Sequence, residues 1–314
     1  MRDHFKRRLM AASPVKTVIR QSKHTFIPGF SGFSLYEIWQ PFLKQLQRTN
    51  LFERAAGISY NVVMAIPPTL IFIFTLIPYL PISKLFIQQL FSIIRDVVPG
   101  RENNRAIIGF LDDFIHRPRN GLLSFGLLLA LFFSSNAMMG VLRSFDRNYE
   151  GFYDPTGWQK RSASLKLTLL VFVLCFICVL LLIAQSNVLR WIGIESAALR
   201  LLIQNLRWVI ILLLVFYSVS SIYRHGPALI KKWPYITPGS IFTTTLMVIA
   251  TFLVSFWVNH FSNYNKLYGS ISAVFILMVL IYVNSLVILL GFELNVTIAG
   301  LKRTKQQTFD DWVS

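Results

Sequence analysis

Six long apolar runs divide the chain, at about residues 55–80, 121–142, 165–186, 206–224, 239–260 and 270–298. Each is long enough to cross the hydrocarbon core of a bilayer, which takes roughly 20 apolar residues in a helix. The pattern therefore predicts an all-α polytopic membrane protein, with six transmembrane helices in one membrane domain over residues 34–300.

Shorter amphipathic stretches flank these runs. "SLYEIWQPFLKQLQR" repeats apolar residues at helical spacing, and Ser34 and Glu37 have the spacing of a capping box. Pro41 would break this helix unless the helix restarts there. A second amphipathic region covers residues 82–116 on the other side of the first span. We expect interfacial helices on both sides of the membrane.

The distribution of Lys and Arg predicts the orientation. These residues are about twice as frequent on the side of the termini as on the opposite side, which places both termini in the cytoplasm. We expect a basic, disordered N-terminus over residues 1–33, without a removable signal peptide, and a cytoplasmic tail over 301–314. These features are typical of a multi-pass membrane protein.

Polar and helix-weakening residues share one face of the first span. Gly57, Asn61, Pro68 and Thr75 fall within a sector of about 60°, and Pro67 precedes Pro68 directly. Because lipid cannot satisfy a carboxamide or a freed carbonyl, this face should turn toward other helices or water. The paired prolines could also unwind the helix.

The fifth span repeats this pattern with hydroxyl side chains, after Pro238 and Gly239 open it. Its stripe comprises Ser240, Thr244, Thr251, Ser255 and Ser262. Small hydroxyl residues are common in close helix packing, which is the favoured interpretation, but the face could also be wet and line a ligand cavity. In the second interpretation, the stripes of the first and fifth spans line one cavity.

Other spans carry isolated polar residues. Asn136 and Arg143 share a face of the second span with Gly140, and Arg143 could pair with Asp146 three residues later. In the last span Asn284 lies near mid-depth. Glu293 lies near the inner interface, where burying a charge costs less than at the centre, so it is a weaker candidate for a transport carboxylate.

Composition adds a strong positive charge to this picture. Only 14% of the 314 residues are charged and 54% are hydrophobic, yet the net charge is +17. Nucleic acid binding is one reading of such a charge, but contact with anionic lipid headgroups fits a membrane protein better. Cys175 and Cys178 form a C-x-x-C pair without polar partners in the sequence, so we expect two small buried hydrophobic residues rather than a redox or metal site.

Four stretches in order resemble the YihY/BrkB family (UPF0761) of bacterial inner-membrane proteins: "RAAGISYNVVMAIPP", "SSNAMMGVLRSFDRNYE", "WPYITPGSIFTTTL" and "YGSISAVFILMVLIYVNSLVILLGFELN". Asp146 departs from the Asn expected there. The resemblance implies six helices, with Asn61, Pro67, Asn136, Arg143, Pro238, Gly239, Tyr268, Gly269 and Glu293 as motif positions. It also implies an unsettled activity: members have been called virulence-associated, and an old label made the family a ribonuclease.

An enzyme is the least favoured of three functions. The histidines are scattered, and the one D-D-x-x-H patch (Asp112, Asp113, His116) is expected outside the cell, away from RNA. No nucleotide-binding glycine pattern occurs, so we expect no catalytic residues, metal or cofactor. We favour a transporter of an amphiphilic or ionic solute that does not hydrolyse ATP. A scaffold for envelope assembly is the alternative, and membrane lipids are the expected partners.

Overall fold

The structure is a computed structural model, and it describes residues 33–76, 79, 109, 120–146, 149, 151–183, 197–260 and 271–313. These ranges contain seven helices and no strand: α1 (Leu35–Arg48), α2 (Leu51–Leu76), α3 (Asn120–Phe145), α4 (Gly157–Ile183), α5 (Ala197–His225), α6 (Pro238–His260) and α7 (Ile271–Val313). The six helices α2 to α7 are long and apolar enough to cross a membrane. The predicted all-α, six-span class is confirmed.

Helix α1 begins at the predicted capping box. The Ser34 backbone N–H donates to the Glu37 carboxylate at 2.8 Å, and the Glu37 N–H donates to the Ser34 hydroxyl at 3.3 Å. The bond from the Ser34 backbone lowers the pKa of Glu37. The helix continues through Pro41 to Arg48, so Pro41 neither breaks nor restarts it. Whether α1 lies in a membrane interface stays a prediction.

Several predicted segments fall outside the described ranges. They include residues 1–32, all of the predicted amphipathic region 82–116 except Gly109, and residues 261–270, among them Ser262, Tyr268 and Gly269. The predicted cytoplasmic tail is helical, because α7 continues to Val313. With 43 residues, α7 is roughly 64 Å long, about twice the thickness of a hydrocarbon core.

The six spans form a closed ring in chain order. Each packs against the next one along the chain, α7 packs against α2 to close the ring, and α1 lies against α7. The most extensive contacts are those of α2 with α3, α6 with α7, and α2 with α7. The first and fifth spans therefore both flank the last span.

The tightly packed core lies at one end of this ring, where α2 begins and α3 ends; we call it the proximal end. Buried members of the core include Ala55 and Ile58 of α2, Phe145 of α3, Tyr223 of α5 and Phe292 of α7. Phe145 stacks on Phe292 with ring centroids 4.1 Å apart. These aromatic rings fill the interior of the ring at this end.

The other halves of the helices expose apolar side chains, such as Leu70, Phe125, Leu128, Phe252 and Phe275. An apolar surface of this extent would be costly in water but is the expected surface toward lipid. Cys175 and Cys178 of α4 are free thiols; Cys175 is exposed and Cys178 is half-buried. The expectation that both are buried is therefore wrong.

The paired prolines do not unwind the first span. Helix α2 runs without interruption from Leu51 to Leu76 through Pro67 and Pro68. The missing proline N–H groups leave the carbonyls of Val63 and Met64 without helical donors. Pro68 is half-buried, whereas Pro67 is exposed, so neighbouring helices cover only one of the two rings.

Candidate functional site

A buried carboxylate lies at the proximal end of the ring. Glu293 of α7 is 0% exposed and accepts hydrogen bonds from three parts of the chain. Arg54 Nη1 donates to Oε1 at 2.6 Å, and Gln45 Nε2 donates to Oε2 at 3.1 Å. The Tyr149 hydroxyl lies 3.1 and 3.0 Å from Oε1 and Oε2. A buried carboxylate needs such partners, because burying an ionised group without them costs a large amount of free energy.

Local structure explains how these groups converge. Arg54 is the fourth residue of α2, so its side chain lies close to the proximal end of the first span. Gln45 comes from the last turns of α1, which packs against α7. Tyr149 comes from the connection between α3 and α4. Four separate segments thus meet at one carboxylate.

Arg54 is nearly as buried as its partner, with a side chain 10% exposed. Its Nη2 also donates to the Ser144 carbonyl at the end of α3. Within the described part of the chain its Nε has no hydrogen-bond partner, although the atom is buried. Leaving a buried donor unsatisfied costs about 1–3 kcal/mol, so the arrangement of the guanidinium is not optimal for stability alone.

A polar cleft opens beside Arg54, between α2 and α3. It has a volume of about 360 Å³. Its lining residues all carry polar or small side chains: Arg54, Gly57, Asn61, Gly140, Arg143, Ser144 and Asp146. The predicted motif positions Asn61 and Arg143 thus lie together, as does Gly57 from the stripe of the first span.

Asn61 faces the second span across the polar cleft. Its Nδ2 donates to the Gly57 carbonyl at 2.7 Å. A Cβ atom added at Gly140 would lie 3.1 Å from that nitrogen, which explains the value of a glycine opposite the carboxamide. The expectation that Asn61 turns away from lipid toward a neighbouring helix agrees with this geometry.

Ion pairs at the mouth of the polar cleft differ from the predicted pair. Asp146 pairs with Lys160 of α4 at 2.6 Å, and not with Arg143. Arg143 is exposed and has no ion-pair partner among the described residues. Asn136 accepts from Arg161 Nη1 at 2.6 Å, so it joins α3 to α4 instead of lining the cleft.

A second cleft of about 320 Å³ lies beside two of the hydrogen-bond partners of Glu293; we call it the aromatic cleft. Gln45 and Tyr149, both bound to Glu293, form part of its wall. The rest combines aromatic and basic groups with the last turns of α7, including Phe152, Trp233, Lys231 and Arg303. Glu293 and its partners therefore separate two clefts.

Two loops are joined beside the aromatic cleft. An antiparallel bridge pairs Phe152 with Leu229. Next to it the Tyr153 N–H donates to the Ala228 carbonyl at 3.0 Å, and the Ile230 N–H donates to the Gly151 carbonyl at 3.1 Å. Gly151 has a φ of +81°, which a residue with a side chain rarely adopts. These contacts fix the connection that carries Tyr149.

The N-terminus of the fifth span, α6, is capped by polar side chains. Pro238 is the first helical residue, and Thr237 caps it, with the Ser240 N–H donating to the Thr237 hydroxyl at 3.1 Å. The Gly239 N–H donates to Asn295 Oδ1 at 2.8 Å. Asn295 of α7 therefore satisfies a donor that the helix itself cannot, and joins α6 to α7.

Glycines bring α6 and α7 into close contact. A Cβ atom at Gly291 would overlap the Thr243 hydroxyl, and one at Gly239 would overlap the Gly291 carbonyl. The Tyr223 hydroxyl lies 2.7 Å from the Thr243 hydroxyl and donates to the Ile288 carbonyl at 2.6 Å. These contacts join α5, α6 and α7 at the same depth in the bundle.

The hydroxyl stripe of α6 divides into two halves. Ser240 and Thr244 are buried, whereas Thr251 and Ser255 are exposed. The first half is therefore a packing seam, in agreement with the first interpretation of this stripe.

The first and fifth spans are both neighbours of α7 but have no substantial contact with each other, and the polar cleft that Asn61 lines faces α3. Asn284 is half-buried and donates to the Leu280 carbonyl on its own helix.

Some predicted chemistry cannot be placed. Tyr268, Gly269 and the D-D-x-x-H patch lie outside the described residues. Among the residues that are described, no three His, Cys, Asp or Glu side chains cluster as metal ligands do.

The sequence did not single out Arg54, Gln45 or Tyr149. Gln45 and Arg54 are separated from Glu293 by 248 and 239 positions, and no local pattern connects them. One signal was available for Arg54, since it is the basic residue that begins an otherwise apolar span. A cation and an anion at the proximal ends of two long apolar stretches favour a pair.

Comparison with known proteins identifies relatives over most of the chain. A family model described as "Virulence factor BrkB" matches residues 42–312. The "Putative ribonuclease-like protein YfkH" of Bacillus subtilis (strain 168) is 28% identical over 273 residues, which cover 83% of this chain and 96% of that protein. No solved structure matches significantly.

Two further relatives are described as membrane proteins. "UPF0761 membrane protein Smlt0865" of Stenotrophomonas maltophilia (strain K279a) is 24% identical over 84% of this chain, which spans only 60% of that protein. A "UPF0761 membrane protein" of Tolumonas auensis is 23% identical, over 86% of this chain and 85% of the relative.

Proposed function

Since the chain belongs to the BrkB family of membrane proteins, we propose that it transports or exports an amphiphilic or ionic solute without hydrolysing ATP. A lipid-like substrate is favoured. The protein would be a multi-pass protein of a bacterial inner membrane with both termini in the cytoplasm, as the excess of Lys and Arg on that side indicates.

The polar cleft is the observation that supports this proposal. Its two arginines and its carboxamide lie at the end of two apolar helices, where a helix bundle without a ligand would gain more from apolar packing. Arg143 is exposed there, and Arg54 in the wall of the same cleft is held by Glu293. A lipid fits such a site, because its headgroup would meet the arginines while its chains lie along the exposed apolar surfaces.

Flux through reconstituted protein tests transport. Fluorescent phosphatidylglycerol is placed in both leaflets of proteoliposomes, and dithionite is added outside. The protein should expose inner-leaflet lipid faster than protein-free vesicles do, and Arg143→Gln should slow this by up to about tenfold, equivalent to about 1.4 kcal/mol. Lys302→Gln, an exposed charge on α7, is the matched control.

A parallel arm measures the release of entrapped sulfate, as a purely ionic solute. If neither the lipid nor sulfate moves faster than through protein-free vesicles, transport is excluded. Movement of one and not the other assigns the solute class.

The alternative function is a scaffold for envelope assembly. The buried half of the α6 stripe favours it, because Ser240 and Thr244 serve helix packing and not a cavity. Purification in mild detergent distinguishes the two functions: stoichiometric bound lipid supports transport, and stable protein partners support the scaffold. An enzymatic function has the least support, and "ribonuclease-like" is said only of the Bacillus relative.

A further inference from the structure

The side chain of Arg54 contacts both the Glu293 carboxylate and the polar cleft. One side binds the Glu293 carboxylate at 2.6 Å, while the same side chain forms part of the wall of the polar cleft. Its buried Nε has no acceptor within the described ranges. A donor group that is nine-tenths buried, incompletely satisfied and part of a cleft wall has the properties of an anion-binding group.

The other charges of the polar cleft make it net positive. Asp146 is neutralised by Lys160 and Arg54 by Glu293, while Arg143 has no partner in the described part of the chain. Arginine is suited to phosphate and sulfate groups, because its planar fork of N–H donors matches their oxygens. The chemistry of the cleft therefore selects oxyanions.

From these observations we infer that the polar cleft binds an oxyanion of the phosphate, phosphodiester or sulfate class through Arg143 and Arg54, and that Glu293 takes up a proton when it does. This inference rests on the proposed transport function and deepens it. It names the substrate chemistry and adds a coupled ion.

Proton uptake follows from the burial of the pair. An oxyanion that recruits Arg54 withdraws the partner of a carboxylate that is 0% exposed. A buried ionised carboxylate without its cation is strongly unfavourable, whereas a protonated one keeps its contacts with Gln45 and Tyr149 as a neutral group. Anion binding and protonation of Glu293 are therefore favourable together and unfavourable apart, which is thermodynamic coupling.

Among the residues that the structure describes, few other groups near Glu293 could take this proton. The charged or titratable side chains in contact with it there are Arg54 from α2 and Tyr149 from the α3–α4 connection. Further out lie Arg143 of α3 and the Asp146–Lys160 pair at the polar cleft, and Lys231 and Arg303 at the aromatic cleft. The described residues of α6 that pack on α7 contribute no Asp, Glu, Lys or Arg. Among these, Glu293 is the carboxylate in direct contact with Arg54.

Isothermal titration of the purified full-length protein with sulfate tests the coupling. Sulfate does not titrate near neutral pH, so measurements in two buffers of different ionisation enthalpy report protons taken up by the protein. We expect proton uptake close to one proton per sulfate, and sulfate binding that tightens as the pH falls, because binding of the two is coupled.

Two variants localise the proton. Glu293→Gln should still bind sulfate, but without proton uptake and without pH dependence. Glu53→Gln removes an exposed acid one residue before Arg54 and should behave as the native protein. Sulfate binding by the native protein without proton uptake overturns the coupling, as does unchanged uptake in Glu293→Gln.

Competition separates the two sources of this chemistry. Displacement of sulfate by short-chain phosphatidylglycerol, but not by phosphatidylcholine, assigns the cleft to an anionic lipid headgroup, and absence of displacement assigns it to a free oxyanion. If neither sulfate nor phosphatidylglycerol binds, the inference is wrong. If the protein moves solute without binding either ligand, transport is supported and the anion site is refuted. If it binds a ligand but moves no solute, the anion site is supported and transport is refuted.

Discussion

Replacing Arg54 by methionine removes the cation from a buried pair and keeps much of the side-chain volume. Breaking such a pair costs about 3–5 kcal/mol, because the remaining charge has lost its partner. Glu293 would retain its hydrogen bonds from Gln45 and Tyr149, which puts the expected loss near the lower limit. At roughly 2–4 °C for each kcal/mol, Arg54→Met should lower the melting temperature in detergent by about 6–12 °C.

A double-mutant cycle tests the origin of this loss. In Arg54→Met/Glu293→Met both charges are gone, so the double variant should be more stable than Arg54→Met alone. Lys160→Met is the matched control, since Lys160 and Asp146 form a pair of the same length with side chains 25% and 23% exposed. That change should cost at most about 1 kcal/mol. The assignment of a buried, mutually dependent pair would be refuted if Arg54→Met and Lys160→Met lowered the free energy of unfolding equally. Additive effects of the two changes in the cycle would refute it as well.

The remaining predictions concern the packing of α6 and α7 and are measured by thermal unfolding in detergent. Gly291→Ala should destabilise the protein strongly, because the new methyl group overlaps the Thr243 hydroxyl. Gly57→Ala has open space at its Cβ position and should be neutral or stabilising by up to about 1 kcal/mol. Equal effects of the two changes would contradict the close contact at Gly291. Asn295→Ala should cost about 1–3 kcal/mol by leaving the Gly239 N–H buried without an acceptor, and a neutral result would argue against that bond. Tyr223→Phe should cost a similar amount, because its hydroxyl bonds to the Thr243 hydroxyl of α6 and the Ile288 carbonyl of α7; an unchanged melting temperature would be inconsistent with these bonds.

The class of fold could be predicted because it depends on local pattern. Apolar runs of sufficient length indicate spans without any knowledge of their partners, and all six are confirmed. The Ser34 capping box and the start of the fifth span at Pro238 are local in the same sense. Proline effects were less predictable, since α1 and α2 both continue through prolines that could have interrupted them.

The charged centre was harder to predict, because it depends on contacts between distant segments. Distance along the helix put Glu293 near a membrane boundary, where we expected a weak candidate. Helix packing then buried it completely and supplied Arg54 as its partner. Depth in a membrane fixes the cost of a charge only when the side chain faces lipid or bulk water, and here it faces Arg54, Gln45 and Tyr149.

Cysteine accessibility tests most directly whether the polar cleft is open to water at the proximal end. In a background with Cys175 and Cys178 replaced by Ser, Asn61→Cys lies in the cleft and Thr244→Cys in the packed seam between α6 and α7. A water-soluble thiol reagent should modify Asn61→Cys rapidly and leave Thr244→Cys unmodified, and sulfate or phosphatidylglycerol should slow the reaction at Asn61→Cys. If Asn61→Cys reacts as slowly as Thr244→Cys, the cleft is closed to water and cannot serve as a substrate site.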